Sequence, residues 1–256
     1  MTPLPAILLG APLAHRALHD RAAGRPENSR AAFAAAIAAG YGIECDVQLS
    51  ADGRAMVFHD EYLTRLTPEH GALNARTAAD LARIPLRGGS ETIPTLAQML
   101  ALVAGRVALL IEIKDQDGAL GLGVGALERA VAEDLRGYDG PVAVMSFNPH
   151  SIAAFAEAAP HLPRGLTTSA YHAKDWIGLP AETRTRLRGI PDYDRVGASF
   201  ISHEAKDLAR PRVAELKAQG ARVLCWTIRS PEAEAEARQV ADNVTFEGYA
   251  AAIPRG

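Results

Sequence analysis

Between Tyr41 and Asp60 the chain reads YGIECDVQLSADGRAMVFHD, and three of these side chains have types and spacing that suit shared chemistry. Glu44 and Asp46 stand two apart in an otherwise apolar run, so in a strand both carboxylates point to one face. Two acids on one buried face require a cation. Asp52-Gly53 is the strongest two-residue hairpin signal, and Ala55-Met56-Val57-Phe58 reads as the returning arm. With that pair as the loop, opposed residues have numbers that sum to 105, which sets Asp46 against His59; such partners lie roughly 5 Å apart between Cβ atoms. Hard carboxylate oxygens suit Mg²⁺ or Ca²⁺, and an imidazole beside the ion suits proton transfer. The plainer alternative is a pair of solvated edge carboxylates and a turn histidine.

Two further segments carry candidate groups. Val107 to Lys114, VALLIEIK, is a continuous apolar strand ending in Glu112 and Lys114, again two apart and facing together. Glu112 completes a three-carboxylate metal site on this reading, and Lys114 either binds an anion held by the metal or pairs with Glu44 or Asp46. His15-Arg16 follows the short apolar segment Pro12-Leu13-Ala14, a polar pair at a strand's end. Phe147 and Trp226, near the ends of two late strands, serve either as an apolar pocket wall or as plain core. Of the remaining histidines, His203, expected just past a strand end, is the one with a position of interest.

These groups need elements to position them. Pro26-Glu27-Asn28-Ser29 precedes an alanine-rich helix that runs to Gly40, with Asn28 or Ser29 as N-cap and Gly40 at C′. Strand, helix and strand then form a parallel-sheet unit. Residues 61–105, broken by Pro68, Gly71, Pro85, Gly88, Gly89 and Pro94, read as a small excursion with short helices near Thr77 to Arg83 and Thr95 to Ala104. Strands are expected over Pro141 to Phe147, Arg164 to Thr168, Val196 to Ser202, Arg222 to Ile228 and Asp242 to Glu247. Eight strands result when the Phe58 arm is left out as a hairpin, the number that closes a (β/α)8 TIM barrel, and the polar candidates fall toward strand C-termini, where such barrels keep their chemistry. The glycines from Gly118 to Gly125 miss the dinucleotide fingerprint, because Ala126 stands where its last glycine belongs.

Composition bounds the rest. The chain has 256 residues, 48% hydrophobic and 22% charged, enough for a sizeable core. A net charge of −3 with scattered Lys and Arg gives no basic field for nucleic acid. Cys45 and Cys225 sit in expected strands as buried thiols, which fits a reducing compartment. The apolar first nine residues lack a basic region, and no window approaches eighteen apolar residues, so a cytoplasmic protein without stable membrane association is expected.

In order along the chain, His15-Arg16, Pro26-Glu27-Asn28, Glu44-Cys45-Asp46-Val47, Asp52-Gly53, His59-Asp60, Leu63-Thr64-Arg65, Ile93-Pro94-Thr95-Leu96, Ile111-Glu112-Ile113-Lys114, Ser146-Phe147 and Trp226-Thr227 resemble the pattern of the glycerophosphodiester phosphodiesterase family. The resemblance covers nearly the whole chain and implies one barrel domain over residues 1–256. It further implies a divalent metal on Glu44, Asp46 and Glu112, acid and base work by His15 and His59, and phosphate contacts from Arg16 and Lys114, with Trp226 and Phe147 against the glycerol or alcohol. The implied reaction is hydrolysis of a small glycerophosphodiester to sn-glycerol 3-phosphate and an alcohol. Three features depart from the family: Ala17 in place of a glycine, the segment Leu18 to Arg25, and the ending Asn243 to Tyr249. Two other readings stand beside it, a lysophospholipase D or sphingomyelinase D type of activity, which needs an apolar mouth, and a non-catalytic barrel that binds a phosphorylated metabolite. The oligomeric state is not legible in the sequence.

Overall fold

The structure, a computed structural model, describes residues 2–254. Eight parallel strands close a barrel: β1 (Leu13–Ala14), β2 (Gly42–Leu49), β4 (Leu109–Ile113), β5 (Val142–Ser146), β6 (Arg164–Thr168), β7 (Phe200–Glu204), β8 (Arg222–Ile228) and β9 (Asn243–Phe246), with β1 pairing both β2 and β9. One further strand, β3 (Ala55–Val57), runs antiparallel on β2 as a hairpin arm. The fold is a (β/α)8 barrel. The helices are α1 (Arg30–Ala39), α2 (Ala78–Leu81), α3 (Leu96–Val103), α4 (Ala126–Asp134), α5 (Pro149–Ala158), α6 (Ala181–Arg188), α7 (Pro211–Ala218) and α8 (Pro231–Ala237).

The alternation of strand side chains sorts the chain into two layers. In β2 and β4 the odd-numbered Ile43, Cys45, Val47, Leu109, Ile111 and Ile113 join the core that includes Phe33 of α1. The even-numbered positions point the other way, where Leu110 packs with Leu13, Met145, Phe200 and Leu224 in the barrel interior. Glu44, Asp46 and Glu112 share that inward parity. At Gly42, also even, an added Cβ would lie 2.5 Å from Leu13 Cδ2, so this strand start tolerates only glycine without movement. The 3-10 turn Ala6–Leu9 adds Leu8 to the interior cluster, and the Asn243 amide donates to the carbonyls of Leu8 and Ala11 at 2.8 Å each.

α1 starts where its cap dictates. Ser29 Oγ accepts from the Ala32 N–H at 3.2 Å, and Gly40 ends the helix at φ +78°. Between β3 and β4 the chain wraps a small cluster of its own, in which Met56, Phe58, Leu63, Leu73, Leu81 and Ile93 are buried. Thr95 and Gln98 form a reciprocal capping box at the start of α3.

Two expectations require correction. The hairpin register is one residue off: the partners are Val47 with Val57, Gln48 with Met56 and Leu49 with Ala55, so numbers sum to 104 and not 105. The loop is longer than Asp52-Gly53, because the Ser50 N–H donates to the Arg54 carbonyl and Ser50 Oγ accepts from the Arg54 N–H. The strand expected over Val196 to Ser202 begins only at Phe200. Residues 192–199 turn instead, with Gly197 at φ +61° and the Arg164 guanidinium donating to the Val196 carbonyl at 2.8 Å. His203 therefore lies inside β7 and not past its end. Among the described residues no helix is long and apolar enough to cross a membrane, and Cys45 and Cys225 are free, buried thiols.

Candidate active site

The strand C-termini converge on a cleft of ≈280 Å³ whose lining includes His15, Arg16, Glu44, Asp46, His59, Glu112, Lys114, Phe147 and Trp226. Pairing of the sheet explains why the acids meet. Asp46 and Glu112 are register partners on the adjacent strands β2 and β4, and Glu44 lies two residues before Asp46 on the same face. Glu44 and Asp46 are each 2% exposed and Glu112 7%, and one ligating oxygen from each falls within 4.8 Å of the others.

Burying three carboxylates at this spacing has an electrostatic signature. Burial, followed by the charges of Asp46 and Glu112, pushes the Glu44 carboxyl well above the usual carboxylate range. Burial acts in the same sense on Asp46, but Lys114, His59 and Arg16 outweigh it and hold that carboxyl below its ordinary value. Lys114 Nζ donates to Glu112 at 2.7 Å and lies 3.3 Å from Asp46; burial opposes its charge, yet the two acids raise its pKa. Two cations, Lys114 and Arg16, leave the acids under-neutralised, since Arg16 is shared with Glu27. An all-oxygen, buried donor set with surplus negative charge fits a hard divalent cation such as Mg²⁺ or Ca²⁺.

Arg16 and Ala17 leave β1 with φ of +52° and +64°. That left-handed turn explains why glycine suits the position of Ala17. It aims the Arg16 N–H at Glu44 Oε2, 2.9 Å away, and the guanidinium at Glu27 Oε1, 2.8 Å away. Arg16 Nε, buried and without a hydrogen-bond partner, lies 3.7 Å from Asp46.

Each histidine is held by a carboxylate at its Nδ1. His15 Nδ1 lies 2.5 Å from Glu247 Oε2, and His59 Nδ1 lies 2.6 Å from Asp60 Oδ1. Burial lowers the pKa of His15 in spite of Glu247. His59 reaches the cleft from the loop after β3, not from a ladder position opposite Asp46, whose carbonyl instead accepts from the Phe58 N–H. Asp60 is in turn gripped by Arg65, and Arg65 forks onto Glu27 at 2.8 and 2.9 Å. One chain of ion pairs thus runs from His59 through Asp60, Arg65 and Glu27 to Arg16.

Phe147 and Trp226 stand edge to face with centroids 5.5 Å apart, and the indole N–H donates to the Ser202 carbonyl, leaving the ring as cleft wall. His203 takes no part. It is fully buried, with Nδ1 2.8 Å from Thr168 Oγ1 and Nε2 3.1 Å from Asp207.

Sequence reasoning missed four groups. Asn28, read as a possible cap, donates from its amide to Asp46 Oδ2 at 2.9 Å, and its φ of +58° lies in a region that asparagine tolerates. Glu247 sits one residue past β9 and was readable only as an acid at a strand end. Lys206 and Arg229 also line the cleft, each just past a barrel strand.

Residues 15–245 match the glycerophosphoryl diester phosphodiesterase family. The chain belongs to that family. It is 34% identical over 160 residues to a glycerophosphodiester phosphodiesterase of Bacillus altitudinis, a stretch covering 59% of this chain and 64% of that protein, which is less than two thirds of the relative's length. Its fold matches an Oleispira antarctica phosphodiesterase solved in complex with the product sn-glycerol-3-phosphate, with a TM-score of 0.73, 26% identity, and 92% of this chain and 91% of that one covered. A Thermotoga maritima glycerophosphodiester phosphodiesterase shares the fold, with a TM-score of 0.68, 22% identity and coverage of 91% and 92%.

Proposed function

We propose that this family member hydrolyses glycerophosphodiesters to sn-glycerol 3-phosphate and a free alcohol, with a divalent cation held by Glu44, Asp46 and Glu112. The observation that carries the reading is the pairing of two carboxylate-held imidazoles with Arg16 and Lys114 at one acidic cleft. A divalent cation bound there supplies Lewis-acid stabilisation of charge on phosphoryl oxygens.

The chain's own groups do the rest. Lys114 and Arg16 attract the phosphate and stabilise its growing negative charge in a cleft that shields them from water. Glu247 and Asp60 fix His15 and His59 through Nδ1, so each ring presents Nε2 to the substrate. One histidine takes the proton from the attacking hydroxyl, and the other gives a proton to the leaving alkoxide. Phe147 and Trp226 exclude water from the glycerol or alcohol. The reaction needs only a small-molecule partner, and two free thiols suit a cytoplasmic setting for one barrel domain.

Incubation of the purified chain with glycerophosphocholine and Mg²⁺ or Ca²⁺, followed by an assay for glycerol 3-phosphate, tests this function. Absence of product from several such diesters would rule it out.

A further inference from the structure

Beside the catalytic cleft lies a second chamber of ≈650 Å³ that shares His59, Glu112, Lys114 and Phe147 with it, so the two are continuous. Its added wall comes from three loops carrying Tyr62, Leu120 and Trp176. Phe147 and Trp176 stand with centroids 5.0 Å apart, and both pack on the buried cluster of Leu120, Tyr171 and Leu179.

Most polar groups around this chamber are already engaged. Asp60 is bound by His59 and Arg65, while Asp115 accepts from the Leu120 N–H at 3.1 Å and from the Asn148 amide at 2.8 Å. The Gln48 amide donates to the His59 carbonyl at 3.1 Å. Glu61 and Thr64 also line it, but the surface left to meet a ligand is largely aromatic and aliphatic. The volume falls within the roughly 300–1,000 Å³ that holds a drug-sized molecule, and a diester of a small polar alcohol needs little beyond the cleft.

The same loops carry apolar side chains into solvent. Tyr62 is 55% exposed, Leu122 is 80% exposed two residues after Leu120, and Ile177 is 91% exposed next to Trp176. Single exposed hydrophobics are ordinary, but here three fall on the loops that line one chamber, Tyr62 in its wall and Leu122 and Ile177 within two residues of lining residues.

We propose that this chamber is a subsite for an alkyl or acyl chain, so that the preferred diester carries an apolar chain as well as its phosphoglycerol. The inference rests on the phosphodiesterase reading above. The chain has two possible sources, the leaving alcohol or an ester on the glycerol, and the chemistry recognised is the same.

Two substrate series below their micellar concentrations test it: ethyl to octyl esters of sn-glycerol 3-phosphate, and 1-acyl glycerophosphocholines of two to eight carbons. Each buried methylene is worth about fourfold. The expected result is a kcat/KM at least tenfold higher for a six-carbon than for a two-carbon chain in one series, and that series names the source. Tyr62→Ser, at an exposed position, is expected to shrink the ratio at least threefold. Flat or falling kcat/KM in both series, with glycerophosphocholine still cleaved, would overturn the subsite and leave the phosphodiesterase reading intact. A ratio that Tyr62→Ser leaves unchanged would also overturn it, because the chain would then sit elsewhere. Absence of turnover for every substrate would remove the catalytic reading and this inference with it.

Discussion

Glu247 Oε2 lies 2.5 Å from Nδ1 of His15, a contact across 232 residues of sequence that joins the segment after β9 to the segment after β1. Arg229 holds the other carboxylate oxygen at 2.5 Å, so both oxygens of Glu247 are engaged as it orients the imidazole. Glu247→Gln keeps the shape and removes the charge. It is expected to lower kcat about 10- to 100-fold with KM nearly unchanged, less than the roughly 10² to 10⁴ loss for His15→Ala. Steady-state kinetics on both variants check the order, and an equal loss of KM would make Glu247 a substrate ligand.

His59 and Glu112 are expected to fail in different ways. On the proposed role of His59 in proton transfer, His59→Ala is expected to cost about 10² to 10⁴ in turnover while metal affinity stays near wild type. Glu112→Ala takes one of three buried carboxylates and weakens metal binding itself. Calorimetric titration with Mg²⁺ and Ca²⁺ separates the two, and loss of metal binding in His59→Ala alone would make His59 a ligand.

Asn28 supports the acid cluster from outside it. Its amide on Asp46 is buried, and its backbone sits at φ +58°. Asn28→Ala is expected to cost roughly 1–3 kcal/mol of stability by leaving Asp46 short of a donor, and to weaken metal affinity about 10- to 100-fold. Asn28→Gly removes the same amide but eases the backbone at this positive φ. If the glycine variant binds metal like wild type, the amide contact has no part in it.

Buried His203 gives a pH signature. Burial lowers its pKa below the ordinary histidine value, even with Asp207 beside it. As pH falls through about 6.5 the unfolded chain takes up a proton that the folded state resists, so the histidine's contribution is full above that pH and is lost below it. Stability is expected to drop between pH 7.5 and 5.5 by at most about 1.4 kcal/mol per pH unit from this group. In His203→Gln that component disappears. Urea denaturation of both proteins across the window measures it, and a constant gap between them would contradict the prediction.

The acid cluster was legible because a period of two decides which side of a strand a residue faces. Glu44 with Asp46, and Glu112 with Lys114, needed no more than that rule. His59 was legible as a neighbour, but by a pairing that the longer turn at Ser50 to Arg54 shifts by one residue. Contacts between distant segments carry no local spacing, and so the hold of Glu247 on His15, itself legible as a candidate, was invisible. The start of β7 was misjudged for a related reason: Val196 looks like strand, yet its carbonyl is taken by Arg164 from the neighbouring strand β6 and Gly197 turns the chain.

Closure of the barrel by β1 between β2 and β9 sets an order in time as well as in space. A ribosome adds Glu247 a full 232 residues after His15, so a nascent chain carries Glu44, Asp46 and Glu112 well before it can align that imidazole. Assembly of the complete cleft therefore waits for β9 and Glu247, and a chain halted before β9 holds neither a closed barrel nor an oriented His15.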